Sequence, residues 1–300
     1  MGKPSRNNHV VTAGYLRYFS QDDDVRYLEL DGTLDKVLNV RSILSEKDFS
    51  VVKGPARVDD SLERQWGVFE HRALPHLRGL SVGAPLTDPE DAAIKALFAL
   101  HFARNYGVKA LWDTKWPEAM AQHKHDVVRD SELLELFRSD YERDPEPGEL
   151  EAIAAETVEE ARRSNWGWAN QQLDGYVRML DFVWPLRAER GVIRSATRGL
   201  HFITSDNPLV FRRGDHVAHP ANGIPVEQSE MLLMPLTKNV VVCFASRSDR
   251  PAVVELNDDG VRDVNAKVTR AAMRFVVTHP RTDLVASAPW LPQRPVEGQS

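Results

Sequence analysis

The chain has 300 residues, 42% hydrophobic and 27% charged, with a formal net charge of −6. That length is enough for one large domain or two modest ones with a real core, while the acidic balance excludes broad non-specific binding to long nucleic acid, which needs many Lys and Arg to release counterions. The single cysteine, Cys243, excludes an intramolecular disulfide and a cysteine-rich zinc site.

Residues 1–8 are polar, lack the apolar core of a signal peptide and read as a disordered leader. No window reaches the roughly 18 apolar residues that span a bilayer, so no membrane partner is expected and the setting read from the sequence is cytoplasmic. Residues 9–285 read as one domain. Behind Thr12, the spacing of Tyr15, Leu16 and Phe19 predicts a short capped helix. Residues 26–30 and 35–38 flank Asp31-Gly32, a hairpin signal.

Residues 60–80 predict a helix. Leu62, Trp66, Phe69, Ala73 and Leu77 form its stripe, Glu63 and Glu70 share one edge beside it, and Pro75 kinks or ends it. The next helix opens at Thr87-Asp88-Pro89-Glu90 with a capping residue, a first-turn proline and an acid, and Gly107 is its expected stop. Its apolar face, Ile94, Leu97, Phe98 and Leu100, continues into His101, Arg104 and Asn105, three polar residues that need partners if buried. Residues 117–141 and 149–188 read as helical, with a Pro/Gly linker at 144–148 and a break at Asn165-Trp166-Gly167.

From Leu200 the texture changes to strands. Phe202-Ile203 leads into Thr204-Ser205-Asp206-Asn207-Pro208, and Leu209-Val210-Phe211 follows directly: strand, turn, strand. Pro208 removes a donor and drives Asn207 towards extended backbone, which stiffens the turn. Apolar runs at 231–235 and 239–244 and a shorter one at 253–256 are further strands. A helix over 261–274 and a last strand over 275–278 follow, and residues 286–300 read as a disordered tail. The fold class is α+β: a helical part over 59–190 packs against a mostly antiparallel, sheet-rich part over 200–280, with the N-terminal segment folding back between them.

Several landmarks carry a resemblance. His9-Val10-Val11, Tyr15-Leu16 and Phe19 open the chain. Glu63 and Glu70 follow, then Leu100-His101-Phe102-Ala103-Arg104, Thr204-Ser205-Asp206-Asn207-Pro208 and Met234-Pro235-Leu236-Thr237. In this order, from about residue 9 to about residue 280, the chain resembles the bacterial family catalogued as domain of unknown function 4238. It departs from that pattern at Asn8, where the family has a second histidine, at Thr12, where proline is common, and at His101, where glutamine is expected. The resemblance implies an architecture and candidate residues, and no reaction.

The candidates have two readings each. Asp206 and Asn207 make an Asx-turn, or they place a carboxylate at a strand end to bind a metal or orient a reacting group. Glu63 and Glu70 pair with Arg64, Arg72 or Arg104, or they share a divalent ion. Arg104 is a buried structural guanidinium or a bidentate clamp for a phosphate or carboxylate. His9 caps a helix, or serves as ligand or base. We take His9, Glu70 and Asp206 as catalytic candidates, and Arg104, Asn207, His101 and Tyr15 as substrate contacts. Ser50-Val51-Val52-Lys53 with Ser205-Asp206-Asn207 matches two serine β-lactamase motifs, but Lys-Thr-Gly is missing and the first motif is strand-like. The function expected is a hydrolase, with a divalent metal ion as candidate cofactor, acting on a phosphoester or other small anionic substrate, and local nucleic acid as another partner. The alternative is a non-catalytic binding or regulatory protein whose polar cluster is a structural network.

Overall fold

The computed structural model describes residues 7–43, 45–47, 49–53, 58–77, 80, 86–186, 188–193, 199–218, 226–245 and 253–291. Side-chain alternation along two apolar runs decides the architecture. In β11 (Met231–Thr237), Leu232, Met234 and Leu236 join one core while Leu233 joins another. In the neighbouring β12 (Val240–Ala245), Val242 and Phe244 take the first side and Val241 the second. Burial on both faces is why these strands are near-continuous apolar runs rather than alternating ones.

They lie in a six-stranded sheet of order β10 (His216–Ala218), β9 (Val210–Arg213), β11, β12, β7 (Ala188–Ile193), β13 (Val253–Leu256). All neighbours are antiparallel except β13 with β7. The first face carries the helices α2 (Ser61–Ala73), α3 (Asp88–Ala103) and α7 (Trp166–Val183), with Phe98 edge-on to Phe244 at 4.7 Å. Burying each such aromatic stabilises the fold by about 1.5–3 kcal/mol. The opposite face carries α8 (Asp258–Ala271) through Val261, Val264 and Val268.

A second, antiparallel sheet of order β3 (Asp35–Asn39), β2 (Asp24–Glu29), β14 (Phe275–Thr278), β8 (Thr204–Ser205) brings the two ends of the chain together. The short helix α1 (Ala13–Leu16) packs on it through Tyr15 and Leu16, and the Thr12 side chain accepts from Tyr15 N at 3.2 Å, the expected cap. Because β8 belongs to this sheet and β9 to the other, the Ser-Asp-Asn-Pro turn is the crossing between sheets.

Several boundaries move. The N-terminal segment does not only fold back: β2 and β3 are half of the second sheet. The expected stop at Gly107 is wrong, because α3 ends at Ala103 and Gly107 lies inside α4 (Tyr106–Arg129). Asn105 accepts from Gly107 N at 2.6 Å and starts the new helix there. The predicted helix over 117–141 is instead α4 followed by α5 (Ser131–Tyr141), separated at Asp130, whose carboxylate caps α5. The break expected at Asn165-Trp166-Gly167 falls at Asn165, in left-handed backbone, between α6 (Glu149–Ser164) and α7, but the helical part ends at Val183 rather than near 188–190, where β7 begins. Pro75 sits in a 3-10 turn, Leu74–Leu77, that ends α2. Residues 286–291 are packed rather than tail-like, with Ser287, Ala288 and Leu291 buried. Asn7 and Asn8, placed in the leader, join His9 in β1 (Asn7–His9), which pairs with β4 (Ser45–Lys47). The rest of the expected leader, residues 1–6, and the end of the expected tail, 292–300, lie outside the described residues. No helix among the described residues is long and apolar enough to cross a membrane.

Candidate functional site

At the C-terminal end of α3, the Arg104 guanidinium lies between a first-turn and a last-turn glutamate of α2. Arg104 Nη1 donates to Glu70 Oε1 at 3.0 Å and Nη2 to Glu63 Oε1 at 3.2 Å. The arginine side chain is 1% exposed, whereas Glu63 and Glu70 keep 20% and 17%, so the cation is the deepest member of the cluster, although Glu63 Oε2 is itself buried. Seven-residue spacing along α2 puts both acids on one edge, and the end of α3 delivers Arg104 between them.

Burial pushes the Glu70 carboxyl up to about 7. The Arg104 charge opposes that rise, Glu63 adds to it, and the Thr12 hydroxyl opposes it. Glu63 is also raised, by burial, with Arg104 and the Ser50 hydroxyl opposing. The two titrate as a coupled pair. Position on α2 separates them: Glu63 is in the first turn, where the helix dipole favours negative charge, and Glu70 in the last, where it does not. With one proton on Glu70 the triad is electrically neutral, which is the form that burial favours.

His101 lies behind the arginine. It is 1% exposed, and neither ring nitrogen has a hydrogen-bond partner among the described residues. Burial, and then the Arg104 charge, push its pKa down to about 3, so the imidazole is neutral. Its ring lies 4.7 Å from that of Tyr15. The Tyr15 hydroxyl pairs with Thr204 Oγ1 at 2.9 Å and donates to the Pro235 carbonyl, so the ring contacts the cluster while its polar tip is tied to the sheet.

Asp206 and Asn207 form the other wall and are wholly engaged. Asp206 Oδ1 accepts from Met273 N at 3.0 Å and Oδ2 from Arg274 N at 2.9 Å. Burial nevertheless raises this carboxyl to about 6 against those bonds and the nearby Arg274 charge. Asn207 donates to the Ala271 carbonyl at 2.8 Å and accepts from the Asn105 amide. Together they clip the end of α8 to the end of α3, and they explain why α8 stops at Ala271 rather than reaching 274.

The structure therefore brings Tyr15, Glu70, His101 and Arg104 together and joins Asp206 and Asn207 to them through Asn105. The His9 side chain lies outside the described residues. Arg104 and Asp206 take the structural of their two readings in their hydrogen bonding. Gln172, fully buried, was not singled out from the sequence. It accepts from Ser50 Oγ at 3.0 Å and Trp66 Nε1 at 3.2 Å and donates to the Phe49 carbonyl at 3.2 Å, tying the Ser50 segment beside α2. Its one signal in the sequence is a polar residue in step with Ala169, Tyr176 and Met179 on an apolar face. Among the described residues no three His, Cys, Asp or Glu come together as a metal ligand set. A groove of about 430 Å³ lies elsewhere, between α4, α6 and α7, with Trp112, Trp116 and Trp166 in its lining and none of the candidate residues.

Fold and site define an α+β protein with two glutamates held by one buried arginine where helices meet sheet. The chain belongs to the family described as Protein of unknown function (DUF4238), whose model matches residues 7–282. No curated protein and no solved structure matches it.

Proposed function

We propose that the protein is a cytoplasmic hydrolase in which Glu70 transfers the proton, Glu63 is the partner carboxylate and Arg104 positions both. One observation carries this reading: a carboxyl poised at about 7 beside a second, raised carboxylate, both on side chains that keep some exposure above a buried arginine. A group that is half protonated near neutrality can give a proton to a leaving atom, while its ionised partner takes one from an attacking water. Both terminal nitrogens of Arg104 already serve carboxylates, and two partly exposed glutamates repel an anion. These features favour a substrate that is neutral at the reacting bond over the small anion expected from the sequence.

The test is turnover of chromogenic carboxylate esters, glycosides and phosphate esters by the wild type and Glu70→Gln, with EDTA or with Mg²⁺, Mn²⁺ or Zn²⁺. The expected result is metal-independent hydrolysis of a neutral substrate, with a midpoint near pH 7 that disappears in a stably folded variant. No turnover on any class, together with a less stable Glu70→Gln, overturns it. The second reading, a binding or regulatory protein with a structural polar network, is favoured by one observation: both Asp206 oxygens accept from main-chain N–H groups.

A further inference from the structure

Away from the glutamates, three segments bring His201 and His279 into ring contact, with Lys238 and Arg281 close enough to act on them electrostatically. His201 precedes β8, Lys238 lies in the β11–β12 turn, and His279 and Arg281 follow β14. The two imidazoles lie 4.8 Å apart, centroid to centroid. Main-chain bonds hold the Lys238 turn against them: Phe202 N donates to the Lys238 carbonyl at 2.9 Å, and Lys238 N donates to the Tyr18 carbonyl at 3.1 Å. None of the four makes an ion pair with a carboxylate among the described residues. The acid in the same loop, Asp283, is turned away to cap α9 (Leu284–Ser287) through Ala286 N at 3.1 Å.

The histidines are oriented by the protein. His279 Nδ1 accepts from Arg281 N at 3.2 Å, which places its proton on Nε2 as a donor. His201 Nδ1 pairs with Thr282 Oγ1 at 3.2 Å, and that hydroxyl meets Thr278 Oγ1 at 2.6 Å. Both Nδ1 atoms are thus committed and both Nε2 atoms are left for something else. The cost of the arrangement shows in the titration. Burial, then its neighbours His279 and Lys238, push His201 down to about 4. Burial, then Lys238 and Arg281, do the same to His279, and burial with Arg281 lowers Lys238. Protein charges of one sign converge in this way where an ion of the other sign completes the site.

We propose that His201, Lys238, His279 and Arg281 form a binding site for a phosphate dianion, either free phosphate or the phosphoryl group of a small phosphomonoester. Lys238 and Arg281 supply two positive charges, matching an ion of charge near −2 at neutral pH. Neutral His279 supplies its Nε2–H as a donor without adding charge, and His201 does the same in the tautomer whose Nδ1 accepts from Thr282. The site shares no side chain with the Glu63–Arg104–Glu70 cluster, and it stands whether or not that cluster is catalytic.

The test is a titration of the full chain with inorganic phosphate, phenyl phosphate and chloride at matched ionic strength, followed by calorimetry and by the NMR signals of the two histidine rings. Millimolar phosphate or phenyl phosphate is expected to bind and to raise the titration midpoints of His201 and His279, with chloride inert. Lys238→Ala and Arg281→Ala should each weaken binding about tenfold or more while melting, without phosphate, no lower than the wild type, since each removes repulsion. Preference for phenyl phosphate identifies a phosphorylated organic ligand, and equal affinity identifies the free ion. The site is refuted if neither phosphate moves the histidine signals more than chloride does, or if both variants bind as the wild type does.

Discussion

Arg104 and Glu70 meet at 3.0 Å across the C-terminal ends of α3 and α2, with the cation buried and the acid at the surface edge. Each helix end favours the cation and disfavours the carboxylate. Burial and the helix end therefore disfavour an ionised Glu70 more than the Arg104 charge favours it, and Glu70 holds a proton where a surface ion pair would not.

Removing the cation leaves two carboxylates facing each other in a half-buried site. Arg104→Ala is expected to cost about 3–5 kcal/mol at pH 8 in urea unfolding, and less at pH 5, where both acids can take protons. Arg104→Lys should recover only part of the loss, because one ammonium cannot serve two carboxylates as the planar fork does. A loss below about 1 kcal/mol would put this pair in the range of an exposed salt bridge.

Glu70 makes stability depend on pH in a defined direction. Its folded pKa, about 7, lies above the ordinary carboxylate value of 4.5. Between the two the native state binds more protons than the unfolded state. The contribution is fully present below 4.5 and is lost as pH rises through 7. The neutral, buried His101 acts in the opposite sense, so the quantity to follow is the difference between the wild type and Glu70→Gln. Relative to the variant, the wild type should lose on the order of 2 kcal/mol between pH 4.5 and 7. Parallel stability curves would mean that Glu70 does not titrate in this window.

Asp206 is fully buried, and each of its oxygens accepts a main-chain N–H. Asp206→Asn places a donor against one of the two N–H groups of Met273 and Arg274, and burying that mismatch should cost about 1–3 kcal/mol. The amide protons of those two residues should exchange faster in the variant. A variant as stable as the wild type would instead mark the carboxylate as one kept for chemistry.

The elements of this fold were largely legible, because amphipathic period and capping residues are local. Thr87 and Glu90 form the capping box that their spacing announces, and the Asp31-Gly32 hairpin follows from turn chemistry. Glu63 and Glu70 could be put on one edge from helical phase alone, with Arg104 one of three arginines open to them. Whether Arg104 would hold those acids or a ligand could not be read, since that depends on how α2 crosses α3. The bonding of Asp206 was equally hidden: its partners are main-chain groups of Met273 and Arg274, and main-chain donors leave no mark on residue identity. The grouping of His201 and Lys238 with His279 and Arg281 depends on which strands pair in the two sheets, which no periodicity encodes.

His101 poses the sharpest test of whether the cluster holds anything besides protein. A buried imidazole whose two nitrogens have no partner among the described residues carries a desolvation penalty, and an apolar side chain of similar size does not. If nothing fills the space beside it, His101→Leu should raise stability by about 1–2 kcal/mol in chemical unfolding, with the Tyr15 contact replaced by an aliphatic one. If an ordered water or a bound ligand meets those nitrogens, the same substitution should lower stability. In that case ligand-induced stabilisation should fall with it. A more stable His101→Leu that has also lost hydrolysis would separate the two roles cleanly, since a purely structural imidazole could not give that combination.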